Sequence, residues 1–231
     1  MPVFMLSDQI EFPPARLARQ DGLLAVGGDL SAERLLLAYR MGIFPWYSGG
    51  EPILWWSPDP RLVLYPAELK ISGRLQRTLK KDAFQVTVDQ AFDDVIGSCA
   101  RVRLEKGEDT WIDKDMLNAY SRLHRMGFAH SVEAWRRGKL AGGLYGVSLG
   151  RSFFGESMFA RVSNASKAAL AGLVDHLKSA SFHLIDCQVT TNHMTRLGAR
   201  EIPRARFLKE LEKSLQFPTL QGRWRFNPVE T

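Results

Sequence analysis

Two cysteines, Cys99 and Cys187, are all the thiol in this 231-residue chain. Two are too few for a disulfide framework and their spacing fits no metal site, so reduced thiols and a cytoplasmic setting are expected. Long apolar runs are missing as well: no window approaches the roughly 18 apolar residues of a membrane span. The opening stretch MPVFMLSDQIEFPPARLARQDG has no apolar run after a basic start, so no signal peptide is expected. Nucleotide loops are absent, since neither GxxxxGKS/T nor GxGxxG occurs, and the glycines at 27 and 28 read as a turn. There is no Ser-His-Asp order, zinc-type cluster or internal repeat, and His124, His130, His176, His183 and His193 are scattered. Acid is in deficit: 25 Asp and Glu against 31 Lys and Arg leave a net charge of +6, which suits a polyanionic partner.

What is present is an ordinary globular composition, 45% hydrophobic, with enough chain to bury a good core. Residues 1–60 differ in texture from the rest. Asp21 to Leu30 is punctuated by glycine. Ser31 then suits the cap of a helix carrying Leu35, Leu36, Leu37 and Tyr39 inward, with Gly42 at its C′ position. Trp46, Trp55 and Trp56 follow among prolines that forbid a regular helix. Such a rigid aromatic loop either fills a small core or offers flat faces, and a base stacked on one gains about 1–3 kcal/mol. Pro58-Asp59-Pro60 marks the expected boundary between a small N-terminal domain, 1–60, and a main domain, 61–231.

The main domain reads as alternating strands and helices, an α/β chain. Arg61 to Tyr65 is strand-like. The helix expected over 72–81 sets Arg74, Arg77 and Lys81 on one face, with Lys70 and Lys80 nearby, and phosphate contact is the expectation there. A strand over 84–88 leads to a helix that Asp89 would cap and that would end near Ala100; 101–109 reads as a patternless charged loop. Trp111 precedes a helix capped by Asp113 and closed by Gly127, and a hairpin over 130–147 turns at Arg137-Gly138.

The stretch 141–167, AGGLYGVSLGRSFFGESMFARVSNASK, is the one the chain is organised around. Three glycines in one strand imply a close approach to its backbone. Ser148-Leu149-Gly150 reads as the turn, Arg151 to Gly155 as the returning strand, and Glu156 as a lone acid among apolar residues. Ser163 or Asn164 would cap the next helix. The strand Phe182 to Val189 then carries Asp186 and Gln188, whose two-residue spacing predicts a shared face. A short helix over 192–197 and a last one over 206–215 complete the reading.

Taken in order, GGDL at 27–30, YRMGIFPWYS at 39–48, ILWWSPDPR at 53–61, TWI at 110–112, GGLYGV at 142–147, FFGESMF at 153–159, NASK at 164–167, IDCQ at 185–188 and LGA at 197–199 resemble the leucyl/phenylalanyl-tRNA–protein transferase family. The resemblance spans about residues 20–210. It implies a GNAT-like acyltransferase domain behind the small N-terminal one. The activity implied is transfer of leucine or phenylalanine, and less readily methionine, from aminoacyl-tRNA to proteins beginning with arginine or lysine, marking them for degradation. It also implies Trp46 and Trp111 around the terminal adenosine, and Arg74, Arg77, Lys80 and Lys81 on acceptor-stem phosphates. Leu144, Phe153, Met158, Leu170, Leu173 and Ile185 would surround the amino-acid side chain, and Glu156, Asp186 and Gln188 would form the polar catalytic set. No cofactor, metal or membrane is implied.

Two other readings stay open at this stage. An acetyl-CoA-dependent acetyltransferase would need a glycine-rich pyrophosphate loop before the helix at 165, where this chain has MFARVSN at 158–164. A non-catalytic tRNA-binding module would have no use for three converging polar groups.

Overall fold

A computed structural model describes residues 3–82, 84–105, 107 and 109–226. The chain runs β1 (Phe4–Leu6), β2 (Leu23–Gly27), α1 (Ala32–Arg40), β3 (Phe44–Pro45) and β4 (Leu54–Trp56). It continues through β5 (Arg61–Leu64), α2 (Gly73–Asp82), β6 (Gln85–Val88), α3 (Phe92–Glu105), α4 (Lys114–Arg125), β7 (Ala129–Arg136), β8 (Lys139–Leu149) and β9 (Ser152–Ala160). Last come α5 (Ala165–Ser179), β10 (Leu184–Gln188), α6 (Asn192–Arg196), β11 (Arg200–Ile202) and α7 (Arg204–Ser214).

The strands form two sheets, one ordered β1-β2-β4-β3 and one ordered β11-β5-β10-β9-β8-β7-β6. In the larger sheet the β9–β10 pair is parallel and every other pair antiparallel. Alternation along β8 and β9 builds a core on each face. Tyr145, Val147, Leu149 and Phe154 meet α1, α3, α4 and the small sheet, while Leu144 and Phe153 meet α5. Leu24 and Trp55 share the first of these cores with Val63 and Tyr145, so the N-terminal segment is packed into the main body.

Local chemistry accounts for the helix starts. Ser31 Oγ accepts from the Arg34 amide and Asp113 Oδ1 from the Met116 amide, both as expected of caps. Other expectations are corrected. Asp89 caps nothing: its φ is +54°, and its carboxylate accepts from the Ser131 and Trp224 amides and meets His130. Helix α3 runs on to Glu105, so 101–105 is helical and not loop, with Val102 buried on its inner side. Asn164 takes φ +67° at the start of α5 and makes no side-chain cap. The hairpin turn falls at Gly150-Arg151, and Glu156 lies inside β9.

The close approach that the β8 glycines allow is made by the protein itself. A Cβ on Gly146 would stand 2.2 Å from the Phe154 carbonyl oxygen and 2.6 Å from the Phe153 ring, and one on Gly142 would stand 2.7 Å from Ala165 Cβ. The missing side chains let Phe153 and the start of α5 lie against β8.

Candidate active site

β9 and β10 pair only as far as Phe154 and Asp186. Beyond that point they part, and a cavity of about 580 Å³ opens between them. Such an opening beside a parallel pair is a natural place for a ligand. Each strand carries a bulge at the opening. In β9, Gly146 faces Gly155 and Tyr145 faces Ser157, which leaves Glu156 as the extra residue. In β10 the register slips between Asp186 and Gln188, and Gln188 takes φ +62°. Bulges of this kind re-aim side chains.

Re-aimed, Glu156 becomes the centre of a polar cluster. Tyr39 donates to its Oε1 at 2.7 Å, Tyr120 to its Oε2 at 2.9 Å, and Gln188 Nε2 to its Oε1 at 2.8 Å. The residue is half-buried but its carboxylate is enclosed, and every donor is neutral. Burial therefore pushes its pKa up to about 7, against the downward pull of the three hydrogen bonds and with a small upward push from Asp186. Burial, followed by the charge of Glu156, holds both tyrosine hydroxyls well above their ordinary pKa, so they remain donors. The two hydroxyls also lie 2.5 Å from each other. Two hydroxyl hydrogens thus serve three oxygen contacts. Satisfying all three at once takes a third proton, which a neutral Glu156 supplies.

Asp186 sits in a different setting. Its carboxylate is fully buried and held bidentate by Arg61, Nε to Oδ1 at 2.8 Å and Nη2 to Oδ2 at 2.7 Å. Oδ1 also accepts the Gln188 backbone amide at 2.9 Å. Arg61 is sandwiched by Phe44 and Phe207, 4.8 Å and 4.6 Å from the ring centroids. The expected shared face of Asp186 and Gln188 is therefore corrected. The bulge turns the Gln188 side chain into the cavity, and Asp186 does not line it.

Leu144, Phe153, Met158, Leu170, Leu173 and Ile185 all line the cavity, together with Gln188 and Glu156. Trp46 and Trp111 also line it, with ring centroids 6.1 Å apart at 86°. Trp55 is buried, donates to the Gly27 carbonyl oxygen and belongs to the core. Arg77 and Lys81 are exposed on α2, away from the cavity lining. The side chains of Arg74 and Lys80 lie outside the described residues. Sequence reasoning missed Tyr39 and Tyr120 as ligands of Glu156, Arg61 as the partner of Asp186, and Arg103 as a cavity residue. Tyr120 had a signal of sorts, a phenol on the inward stripe of α4.

A family model described as the leucyl/phenylalanyl-tRNA protein transferase matches residues 63–212, and one for the N-terminal domain of that transferase matches residues 28–59. The chain is 63% identical over 224 residues to the leucyl/phenylalanyl-tRNA–protein transferase of Desulfatibacillum aliphaticivorans, covering 97% of this chain and 96% of that one. It is 64% identical over 215 residues to the one from Syntrophobacter fumaroxidans, covering 93% and 92%. Among solved structures, a ribosomal-protein-alanine N-acetyltransferase from Brucella melitensis aligns over 43% of this chain and 75% of its own, at 16% identity and a TM-score of 0.32. With a family model over most of its length and relatives this similar end to end, the chain belongs to the leucyl/phenylalanyl-tRNA protein transferase family.

Proposed function

We propose that the protein transfers leucine or phenylalanine, and less readily methionine, from aminoacyl-tRNA to the N-terminal arginine or lysine of acceptor proteins, marking them for degradation in the cytoplasm. The observation that carries this reading is the cavity, which has an apolar floor, two tryptophans at its mouth and the Glu156–Gln188 pair on one wall. Residues 1–60 act as a small domain lending Trp46 to the mouth, and 61–231 as the catalytic domain. Trp46 and Trp111 take the terminal adenosine. The floor, from Leu144 to Ile185, takes the amino-acid side chain. The exposed Arg77 and Lys81, with Arg74 and Lys80, meet acceptor-stem phosphates.

The chemistry is aminolysis of an ester. The acceptor's α-amine attacks the carbonyl carbon, a C–N bond forms, the C–O bond to the ribose breaks, and the amine's proton ends on the ribose oxygen. An α-amino group has a pKa near 7.7–8.0, so about a tenth is neutral at about pH 7 and a strong base is not needed to start the attack. Gln188 gives its Nε2 to Glu156, which aims its Oε1 at the incoming amine. Asp186, clamped by Arg61, is a positioning residue: it holds the backbone amide of Gln188 and thereby the bulge. Orientation of this kind can supply several kcal/mol without proton transfer. Asp186→Asn keeps an acceptor for that amide and should lose less activity than Asp186→Ala.

The test is single-turnover transfer to an arginine-starting peptide from Leu-tRNA and from Ile-tRNA, with acetyl-CoA as a third donor. Leucine and isoleucine are isomers that differ in where one methyl sits. A floor without width near Cα should disfavour the β-branched one, by a factor like the roughly 10–200-fold that one methylene commands in an apolar pocket. Equal rates from both tRNAs would sink the pocket assignment, and acetylation of the peptide would sink the reaction.

A further inference from the structure

Arg103 is the charged side chain that, with Glu156, lines the cavity among the described residues. It lies in the last turn of α3, one turn beyond Cys99, which is buried against β9, and so shares that inward face. Its guanidinium carbon stands 4.1 Å from the centroid of the Trp111 ring. It is close enough to Cys99 and Tyr145 for its charge to act on both thiol and phenol. The cation is therefore held over one face of a mouth tryptophan and not left to swing in solvent. Helix α3 carries it from the buried end, and Trp111 holds it at the tip.

We propose that Arg103 is the subsite for the phosphodiester on the 5′ side of the terminal adenosine, a proposal that rests on the transferase reading above. A nucleoside stacked at Trp46 and Trp111 keeps its own 5′ phosphate within one side-chain length of its base. Among the described residues at that mouth, Arg103 is the cationic lining group. Guanidinium suits the task because its planar fork can stack on indole and bind two phosphate oxygens together. The carboxylate of Glu156, the other charged lining group, is engaged by Tyr39, Tyr120 and Gln188. This subsite is separate from Arg77 and Lys81 of α2, which do not line the cavity among the described residues.

The experiment uses two probes on the full chain, 3′-deoxy-3′-phenylalanylamido-adenosine with a free 5′ hydroxyl and the same compound with a 5′ phosphate. Their affinities are read by tryptophan fluorescence. In the wild type the phosphate should tighten binding about tenfold, the size of a charge-assisted hydrogen bond. In Arg103→Gln, which keeps most of the stem, that gain should vanish while the hydroxyl probe changes less than about threefold. Arg103→Lys should keep part of the gain, because charge survives but the fork does not. A phosphate gain of the same size in wild type and Arg103→Gln overturns this inference alone. Failure of the wild type to bind either probe overturns the transferase reading and the inference with it.

Discussion

Two buried carboxylates stand on neighbouring strands, each beside a bulge, and the chain treats them in opposite ways. Asp186 is given a cation: Arg61 holds it bidentate, and the guanidinium itself lies against two phenyl rings. Glu156 is given only neutral donors, two phenols and an amide, and its pKa rises to about 7. A carboxylate gripped by a guanidinium fork is fixed in place, and it serves as a brace. A carboxylate surrounded by neutral hydrogen bonds is poised to change protonation near neutral pH. Burial alone therefore does not decide what a carboxylate does. The charge of its partners does.

Breaking the brace should have the largest effect. Arg61→Met leaves the Asp186 carboxylate buried and uncompensated, and should cost about 3–5 kcal/mol in urea unfolding. The paired variant Arg61→Met with Asp186→Leu should recover most of that stability, since a well-packed apolar pair often replaces a buried ion pair at no loss. It should not recover transfer, because the Gln188 amide has then lost its acceptor. A loss below about 1 kcal/mol in Arg61→Met would show that the pair is no brace.

The poised carboxylate is tested through pH. Its folded pKa, about 7, lies above the ordinary 4.5, so the folded state binds this proton more tightly than the unfolded chain. The stability it contributes is complete below pH 4.5 and is lost as pH rises through about 7. The loss reaches about 3 kcal/mol at 1.36 kcal/mol per unit. Glu156→Gln has no such proton to lose. Unfolding free energies of the two proteins, compared across pH 4.5–8, should converge or cross toward alkaline pH, with the wild type falling. Parallel curves would mean that the Glu156 carboxylate titrates normally and is not poised.

Much of this contrast is invisible in the sequence, for physical reasons. Caps are local, so Ser31 and Asp113 announce α1 and α4 within four residues. The β7–β8 hairpin is local as well, and the apolar residues that line the cavity are legible from strand and helix periodicity together with family motifs. Arg61 and Asp186 are 125 positions apart, and no short-range pattern links them. A bulge adds one residue without any composition of its own, which is why Asp186 and Gln188 read as neighbours on one face. The end of α3 does not show in the pattern because its apolar residues there point both ways, Val102 buried and Leu104 exposed, among charged neighbours. Tyr39 was legible as an inward residue of α1, but an inward phenol and an inward leucine look alike until the acid that receives the hydroxyl is in place.

Gln188 touches both carboxylates, and it allows the finest test. Its side-chain Nε2 donates to Glu156 and its backbone N–H to Asp186. Replacing the side chain should therefore disturb one carboxylate and spare the other. Gln188→Met keeps the length and the apolar stem, removes the donor to Glu156, and leaves the backbone bond to Asp186 in place. Loss of a donor disfavours the charged form, so the Glu156 titration should move upward, by less than about one unit, or about 1 kcal/mol. The coupling energy between Arg61 and Asp186, taken from a double-mutant cycle in the Gln188→Met background, should match the wild-type value within about 0.5 kcal/mol. Transfer should fall, because methionine offers no oxygen to the attacking amine, while the affinity for an aminoacyl-adenosine probe should hold. A downward shift of the Glu156 titration would mean that Gln188 supports the neutral form of that acid. A change in the Arg61–Asp186 coupling would mean that the side chain, and not the backbone amide, is what ties the brace to the cavity.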